Sequence, residues 1–274
     1  GPLAVCVHGL EGSAYNWRPI AKRLAKTHTV VAPDLSGFGH TDPGDRPVTV
    51  DYNAELVAGV IRHYGAPALV FGNSMGGLVS MITAATEPDL VQGLVLIDPA
   101  GPVASWRHIK PRTTVMLGAP LLPGIGSTVV DAYRASRTAE EGVAESYKFV
   151  TADPTTVSDE AYKDALEIAH LRREQPWATR SFIQATRSIA RYVLRRGTYR
   201  RLIHRVAQPT LLVHGTVDAV VGVGTAKWIA NERPDWAVAY MKDLGHIPMV
   251  ESPETFMDIY DLWAGAAAIS PHSP

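Results

Sequence analysis

The sequence predicts an α/β protein in which a mostly parallel sheet is flanked by helices and a helical cap is inserted between two strands. Two observations predict this fold. Short apolar runs alternate with helical patterns, and one long stretch without a strand interrupts the alternation. Runs that are apolar throughout are typical of strands covered on both faces. The predicted strands are Leu3–Val7, Thr29–Ala32, Ala68–Phe71, Gly93–Ile97, Thr210–Val213 and Ala237–Met241.

The helices of the sheet region have recognisable ends. One predicted helix, from Met75 to about Thr86, opens directly from the third strand. In the last helix, Ser252 is a suitable cap and Pro253 suits the first helical position. The apolar face of that helix has helical spacing and consists of Phe256, Ile259, Tyr260 and Trp263.

The stretch from Pro102 to Gln208 contains helical patterns and predicts the cap. Thr138 and Glu141 match a capping box, and the run Ala178–Arg196 has an apolar stripe that ends at Gly197. We therefore predict a core of residues 1–101 and 209–274 and a cap of residues 102–208.

Composition excludes several classes of protein. With 46% hydrophobic and 19% charged residues and a net charge of −1, the chain is not expected to be disordered or drawn to nucleic acids. A single cysteine, Cys6, excludes an intrachain disulfide and fits a reducing compartment, so we expect a cytoplasmic protein. The longest uncharged stretch, Thr113–Val130, is broken by Pro and Gly and does not predict a membrane span.

A nucleophile motif lies between the third strand and the helix after it. Gly72-Asn73-Ser74-Met75-Gly76 matches G-x-S-x-G, a turn that projects the serine above the sheet in a strained conformation. A chance Gly/Ser turn is the alternative, and the strand-turn-helix context favours the nucleophile. We therefore predict that Ser74 attacks a carbonyl.

A serine hydroxyl needs a base, and that base needs an orienting acid. His246 follows the last strand and Asp218 follows the strand before it, so both lie at the same edge of the sheet as Ser74. The order of Ser74, Asp218 and His246 along the chain is the one expected for this fold class. His214 is a competing base, but it stands before a glycine in the turn and is interpreted as a structural loop residue. Asp98, which also ends a strand, stays open as the alternative acid.

The loop His8–Ser13 follows the first strand and predicts an oxyanion hole. Its donors would be the backbone N–H groups of Leu10 and Met75. His8 is then expected to organise the loop, whereas Glu11 and Ser13 are consistent with an ordinary turn.

These motifs together resemble the α/β-hydrolase fold superfamily, in its serine-nucleophile esterase and lipase-like branch, over about Leu3 to Trp263. The matching segments are His8-Gly9, Asp34–Asp42, Gly72–Gly76, Asp218, and Gly245-His246 with Pro248, Glu251 and Pro253 behind it. The resemblance implies a hydrolase of a small ester, with an apolar acyl chain and without metal or organic cofactor.

Two residues narrow the range of hydrolase classes within this superfamily. Epoxide hydrolases and dehalogenases usually carry Asp as nucleophile, so Ser74 argues against them. C–C bond hydrolases that open ring-cleavage products usually have Trp after the catalytic His, where this chain has Ile247. They remain the first alternative, and a binding or receptor protein on a hydrolase scaffold is the second.

Relatives normally have two strands before the one that leads to His8-Gly9, whereas only two residues precede Leu3 here. Either those strands are missing from the chain or the sheet has a shortened edge, and in the first case Thr29–Ala32 becomes an exposed edge.

The cap carries an unexplained basic segment. Between His170 and Arg205 one acid, Glu174, faces ten arginines, at positions 172, 173, 180, 187, 191, 195, 196, 200, 201 and 205. The arginines either pair with groups elsewhere in the chain or attract an anionic substrate or surface.

Two other segments lie outside the predicted helices and strands. Thr113–Val130 is either a mobile lid segment or a part of the cap that simply packs on the core, and Ala266–Pro274 is expected to fray. The sequence has no His, Asp or Glu cluster with metal-ligand spacing and no nucleic-acid-binding motif, so we expect it to bind neither a metal ion nor a nucleic acid.

Overall fold

Within the described residues, six strands form one parallel sheet in the order β2-β1-β3-β4-β5-β6. The computed structural model describes residues 1–65, 67–102, 118–122 and 124–267. All six predicted strands are present, which confirms the fold class. Their bounds are β1 Leu3–Val7, β2 Thr29–Val31, β3 Ala68–Asn73, β4 Val91–Ile97, β5 Thr210–Gly215 and β6 Ala237–Met241.

Helices cover both faces of the sheet. Within the described ranges they are α1 Arg18–Leu24, α2 Val50–Tyr64, α3 Met75–Thr86, α4 Gly126–Ala135, α5 Ala139–Val150, α6 Asp159–Glu174, α7 Ala178–Val193, α8 Arg196–Arg205, α9 Val223–Glu232, α10 Pro248–Glu251 and α11 Pro253–Ala266. Short 3-10 helices lie at Ala14–Trp17, Pro88–Leu90, Ala119–Leu121 and Pro154–Thr156.

Two apolar clusters, one on each face of the sheet, explain why the strands are apolar throughout. Val70 and Leu94 belong to the cluster under α2, α3, α8 and α9, whereas Leu69 and Val95 belong to the cluster under α1 and α11. Successive strand residues point to opposite faces, so a strand covered on both sides has no polar alternation.

Several strands differ in length from their predictions. β3 continues to Asn73 and β5 to Gly215, because the parallel ladder pairs Asn73 with Ile97 and Gly215 with Met241. Ladder hydrogen bonds use backbone groups only, so pairing continues past the apolar run that predicted the strand. β2 is the sheet's edge within the described residues, and Thr29 is exposed there.

The described part of the stretch between β4 and β5 forms α4 to α8 and contains no strand, which confirms a helical insertion. Its last helix packs on the sheet layer, since Tyr199 and Ile203 join the cluster of α3. The assignment of residues 102–208 as a cap stays a prediction. Residues 113–117 and 123 of the Thr113–Val130 stretch, and residues 268–274 of Ala266–Pro274, lie outside the described residues. Among the helices described, none is long and apolar enough to span a membrane.

Candidate active site

Ser74 lies in the sharp turn between β3 and α3, at the carboxyl edge of the sheet. Its φ of 53° and ψ of −117° are strained for a residue with a side chain. The turn needs glycine on both sides: a Cβ on Gly72 would lie 2.5 Å from the Gly76 carbonyl oxygen, and one on Gly76 would lie 2.0 Å from the Val7 oxygen. This strand-turn-helix geometry matches a nucleophile elbow, and Ser74 is half-buried there.

The loop after β1 lies against this elbow. A Cβ on Gly9 would lie 3.2 Å from Ser74 Cβ. Met75 is the first residue of α3, so its N–H has no carbonyl partner within the helix. The Leu10 N–H has no acceptor among the hydrogen bonds of the described residues. Both predicted oxyanion donors are therefore available.

His8 holds the shape of that loop. Its Nε2 accepts from the Leu35 N–H at 3.0 Å, so Nδ1 carries the proton and donates to the Gly9 carbonyl at 2.8 Å. Burial lowers the pKa of His8, which agrees with a neutral imidazole. This arrangement is the loop-organising position that the sequence predicts.

His246 and Asp218 meet in a buried hydrogen bond. His246 Nδ1 lies 2.7 Å from Asp218 Oδ2, and Asp218 Oδ1 accepts from the N–H groups of Val220 at 2.7 Å and Val221 at 3.0 Å. Burial by itself raises the pKa of Asp218, but His246 and these N–H groups outweigh it, so the pKa lies below its usual value. The structure thus pairs the predicted base with the predicted acid.

Ser74 is joined to the His246 loop through its neighbour Asn73. Among the described residues no hydrogen bond connects Ser74 Oγ with the imidazole; catalytic contacts often tighten only when substrate is bound. The Asn73 side-chain amide donates to the His246 carbonyl at 3.0 Å and to the Ile97 carbonyl at 3.1 Å. Sequence reasoning missed this role, and its one signal was an amide at the end of an apolar strand.

The two alternatives, Asp98 and His214, lie beside the pair. Asp98 Oδ1 accepts from the Gly215 N–H at 2.9 Å, and His214 Nε2 donates to the Val221 carbonyl at 2.8 Å. Their ligand atoms and one from Asp218 lie within 4.8 Å of one another, close enough to suggest a metal site. Asp98 Oδ1, His214 Nε2 and both Asp218 oxygens are engaged in hydrogen bonds, whereas Asp98 Oδ2 and His214 Nδ1 have no partner among the described residues. We interpret the cluster as a hydrogen-bond network.

Most arginines of the arginine-rich segment make ion pairs or hydrogen bonds within the chain. Arg172 and Arg134 from the insertion both pair with Glu11 in the loop after β1. Arg200 pairs with Glu232 at 2.6 Å. Others donate to backbone carbonyls: Arg173 to Arg134 and Arg137, Arg180 to Gly44, Arg187 to Pro120, and Arg205 to Ala85. These contacts favour the intramolecular interpretation over attraction of an anion.

Known proteins similar to this chain include lipases and other hydrolases. The chain is 28% identical to Lipase 3 of Moraxella sp. (strain TA144) over 92% of this chain and 74% of that protein. It is 29% identical to the 2-hydroxy-6-oxo-6-(2'-aminophenyl)hexa-2,4-dienoic acid hydrolase of Metapseudomonas resinovorans over 93% of this chain and 81% of that protein. A solved membrane phospholipase A, a bacterial virulence factor, superposes with a TM-score of 0.77 at 26% identity, covering 98% of this chain and 80% of its own.

These relatives support hydrolysis as the reaction, and they include a lipase, a phospholipase and a hydrolase of a dienoic acid. The sequence model of the alpha/beta hydrolase fold matches residues 2–253, which is nearly the whole chain. The chain therefore belongs to the alpha/beta hydrolase fold family.

Proposed function

We propose that the chain is a serine hydrolase that cleaves a small carboxylic ester with an apolar acyl chain through an acyl-enzyme. One observation carries the proposal: Ser74 occupies a strained elbow, and the loop of the Asp218-bonded His246 is tied to that elbow by Asn73. The lipases among the relatives support the ester as substrate.

The proposed reaction has two halves. Ser74 Oγ attacks the ester carbonyl while His246 Nε2 takes the hydroxyl proton, and the N–H groups of Leu10 and Met75 bind the oxyanion. The tetrahedral intermediate then expels the alcohol, which leaves with that proton. Water attacks the acyl-enzyme in the second half with His246 again as base, releasing the acid and freeing Ser74. Asp218 orients the imidazole throughout, and no step uses a metal or organic cofactor.

The test is hydrolysis of p-nitrophenyl esters from acetate to palmitate by the wild-type protein and by Ser74→Ala. We expect turnover to fall by about 10³-fold or more in the variant, because the nucleophile is lost. Ser136→Ala, which changes an exposed serine at the end of α4, is the control and should retain full activity. A fluorophosphonate probe should label Ser74. Labelled protein without turnover on any ester contradicts the ester assignment.

C–C bond hydrolysis is the second candidate, favoured by the 29% identical hydrolase of M. resinovorans. The same residues would act on a vinylogous diketone, with a carbanion-like carbon leaving in place of an alkoxide. Rates on such a diketone and on p-nitrophenyl esters, measured on one preparation, separate the two. Faster cleavage of the diketone assigns the chain to this second activity, whereas no turnover on either substrate together with loss of labelling at Ser74 favours the receptor alternative.

A further inference from the structure

Glu251 is a buried carboxylate outside the proposed triad and oxyanion loop. It is the last residue of α10 and only 6% exposed. Its Oε1 accepts from the Gly245 N–H at 2.7 Å, and its Oε2 accepts from the Ala152 N–H at 2.7 Å. Gly245 immediately precedes His246, whereas Ala152 follows the end of α5 in the insertion. One side chain thus bridges the His246 loop and the insertion.

The backbone makes the same connection. The His246 N–H donates to the Val150 carbonyl at 2.7 Å. A Cβ on Gly245 would lie 2.6 Å from that carbonyl oxygen and 2.8 Å from the Ala152 nitrogen, so only glycine permits this approach. On its other side, the His246 carbonyl accepts from Asn73. The His246 backbone is therefore held between β3 and the end of α5.

We propose that Glu251 is a positioning residue that fastens segment Val150–Ala152 of the insertion to the His246 loop, so that the insertion and the imidazole keep one relative position. The inference rests on the proposed function, since it takes His246 as the base. A carboxylate suits this place because it offers two acceptor oxygens and no donor, whereas an amide turns one of them into a donor. Displacement of a catalytic group by about 1 Å can lower the rate by about 100-fold.

Glu251→Gln tests the proposal because it keeps the side chain's shape but directs an NH₂ group at one of the two backbone N–H donors. We expect kcat on p-nitrophenyl butyrate to fall by about tenfold or more, with KM within about twofold. The rate of fluorophosphonate labelling at Ser74 should fall with it. The far-downfield proton signal of the His246 Nδ1–H···Asp218 bond should shift or broaden, which a general loss of stability in a folded protein would not cause.

Glu254→Gln is the matched control. Glu254 lies three residues further along, its side chain is 80% exposed, and it pairs with Arg23 on the surface. We expect its kcat, labelling rate and imidazole signal to equal those of the wild type.

A second variant and two readouts that need no ester allow the proposal to be tested even if Glu251→Gln does not fold or the ester assignment fails. If Glu251→Gln does not fold, Gly245→Ala replaces it, because its Cβ pushes the same two segments apart while the carboxylate stays; the same loss of kcat and change of signal is expected. Labelling and the proton signal need no ester, so they test Glu251 even if the ester assignment fails. A folded Glu251→Gln or Gly245→Ala protein with wild-type kcat, labelling and imidazole signal overturns the proposal.

Discussion

Asp98 and Asp218 stand at the ends of the neighbouring strands β4 and β5, and they differ in what surrounds their carboxyl groups. Both side chains are fully buried. Asp218 receives three hydrogen bonds, from His246 Nδ1 and from the N–H groups of Val220 and Val221. Asp98 receives one, from the Gly215 N–H, and its Oδ2 has no partner among the described residues.

The difference in surroundings shifts the pKa values of the two carboxyl groups in opposite directions. Burial raises the pKa of Asp98 well above its usual value, and the nearby Asp218 carboxylate raises it further. Burial acts on Asp218 too, but His246 and the backbone N–H groups lower its pKa below the usual value. Burial acts on both groups, so the donors around Asp218 account for the opposite directions of the two pKa values, raised for Asp98 and lowered for Asp218. This is the physical reason to propose Asp218 as the orienting acid.

The largest expected effect comes from replacing each of the two carboxyl groups by an amide in turn. Asp218→Asn should lower kcat on esters by about 10³- to 10⁴-fold, because the amide no longer holds the imidazole in the right tautomer. Asp98→Asn should keep kcat within about threefold, since the amide reproduces a protonated acid that accepts at one atom and donates at the other. Steady-state rates of both variants, with folding checked by circular dichroism, provide the measurement. A large loss in Asp98→Asn with activity kept in Asp218→Asn would move the acid role to Asp98.

A second prediction concerns the backbone at Asp98, whose φ is 43°. Asparagine tolerates such a conformation, whereas alanine does not and also leaves the Gly215 N–H without an acceptor. We expect Asp98→Ala to be less stable than Asp98→Asn by about 1–3 kcal/mol. Urea unfolding of the two variants measures this difference, and equal midpoints would show that neither the backbone nor the Gly215 bond matters.

The contributions of Asp98 and Asp218 to folding stability should change with pH in opposite directions. Folded Asp98 keeps its proton at pH values where an unfolded aspartate has lost it, so stability falls as pH rises from about 4 toward the folded pKa. Asp218 does the reverse: its contribution is present above about pH 4 and is lost as pH falls through its lowered pKa.

Asp98→Asn should therefore raise Tm relative to the wild type, and the gain should grow between pH 4 and pH 8. Thermal melts across this range, with Asp45→Asn as the exposed control, give the measurement. A gain that does not change with pH would mean that folding does not raise the pKa of Asp98.

The smallest expected effect comes from a third carboxylate that is only partly buried. The Glu11 side chain is 31% exposed and pairs with Arg134 and Arg172. Solvent and salt screen such pairs, so Glu11→Gln should cost less than about 1 kcal/mol in unfolding free energy. That cost should shrink when NaCl is raised to about 1 M, whereas the effects at Asp98 should not. Urea unfolding at low and high salt checks both statements, and a salt-independent cost would mean that Glu11 acts through its hydrogen bonds.

Much of the fold was predictable because strands and tight turns leave patterns within a few neighbouring residues of the sequence. The apolar runs predicted all six strands, and the elbow motif predicted the turn at Ser74 because glycine is required where backbones nearly touch. The contacts of Asn73 and Glu251 were not predictable, since each joins segments far apart in the chain. A single amide or carboxylate in a sequence does not indicate which distant backbone groups it meets.

By itself, the sequence determined the parallel sheet, the helical insertion and which residues stand at the carboxyl edge, because apolar periodicity and turn residues act over a few positions. Only the tertiary structure decided that His246 bonds Asp218 rather than Asp98, and that arginines of the insertion donate to backbone carbonyls of the chain and pair with Glu11. Both choices depend on distances between strand ends and loops, and those distances are set by the packing of the whole chain around the sheet.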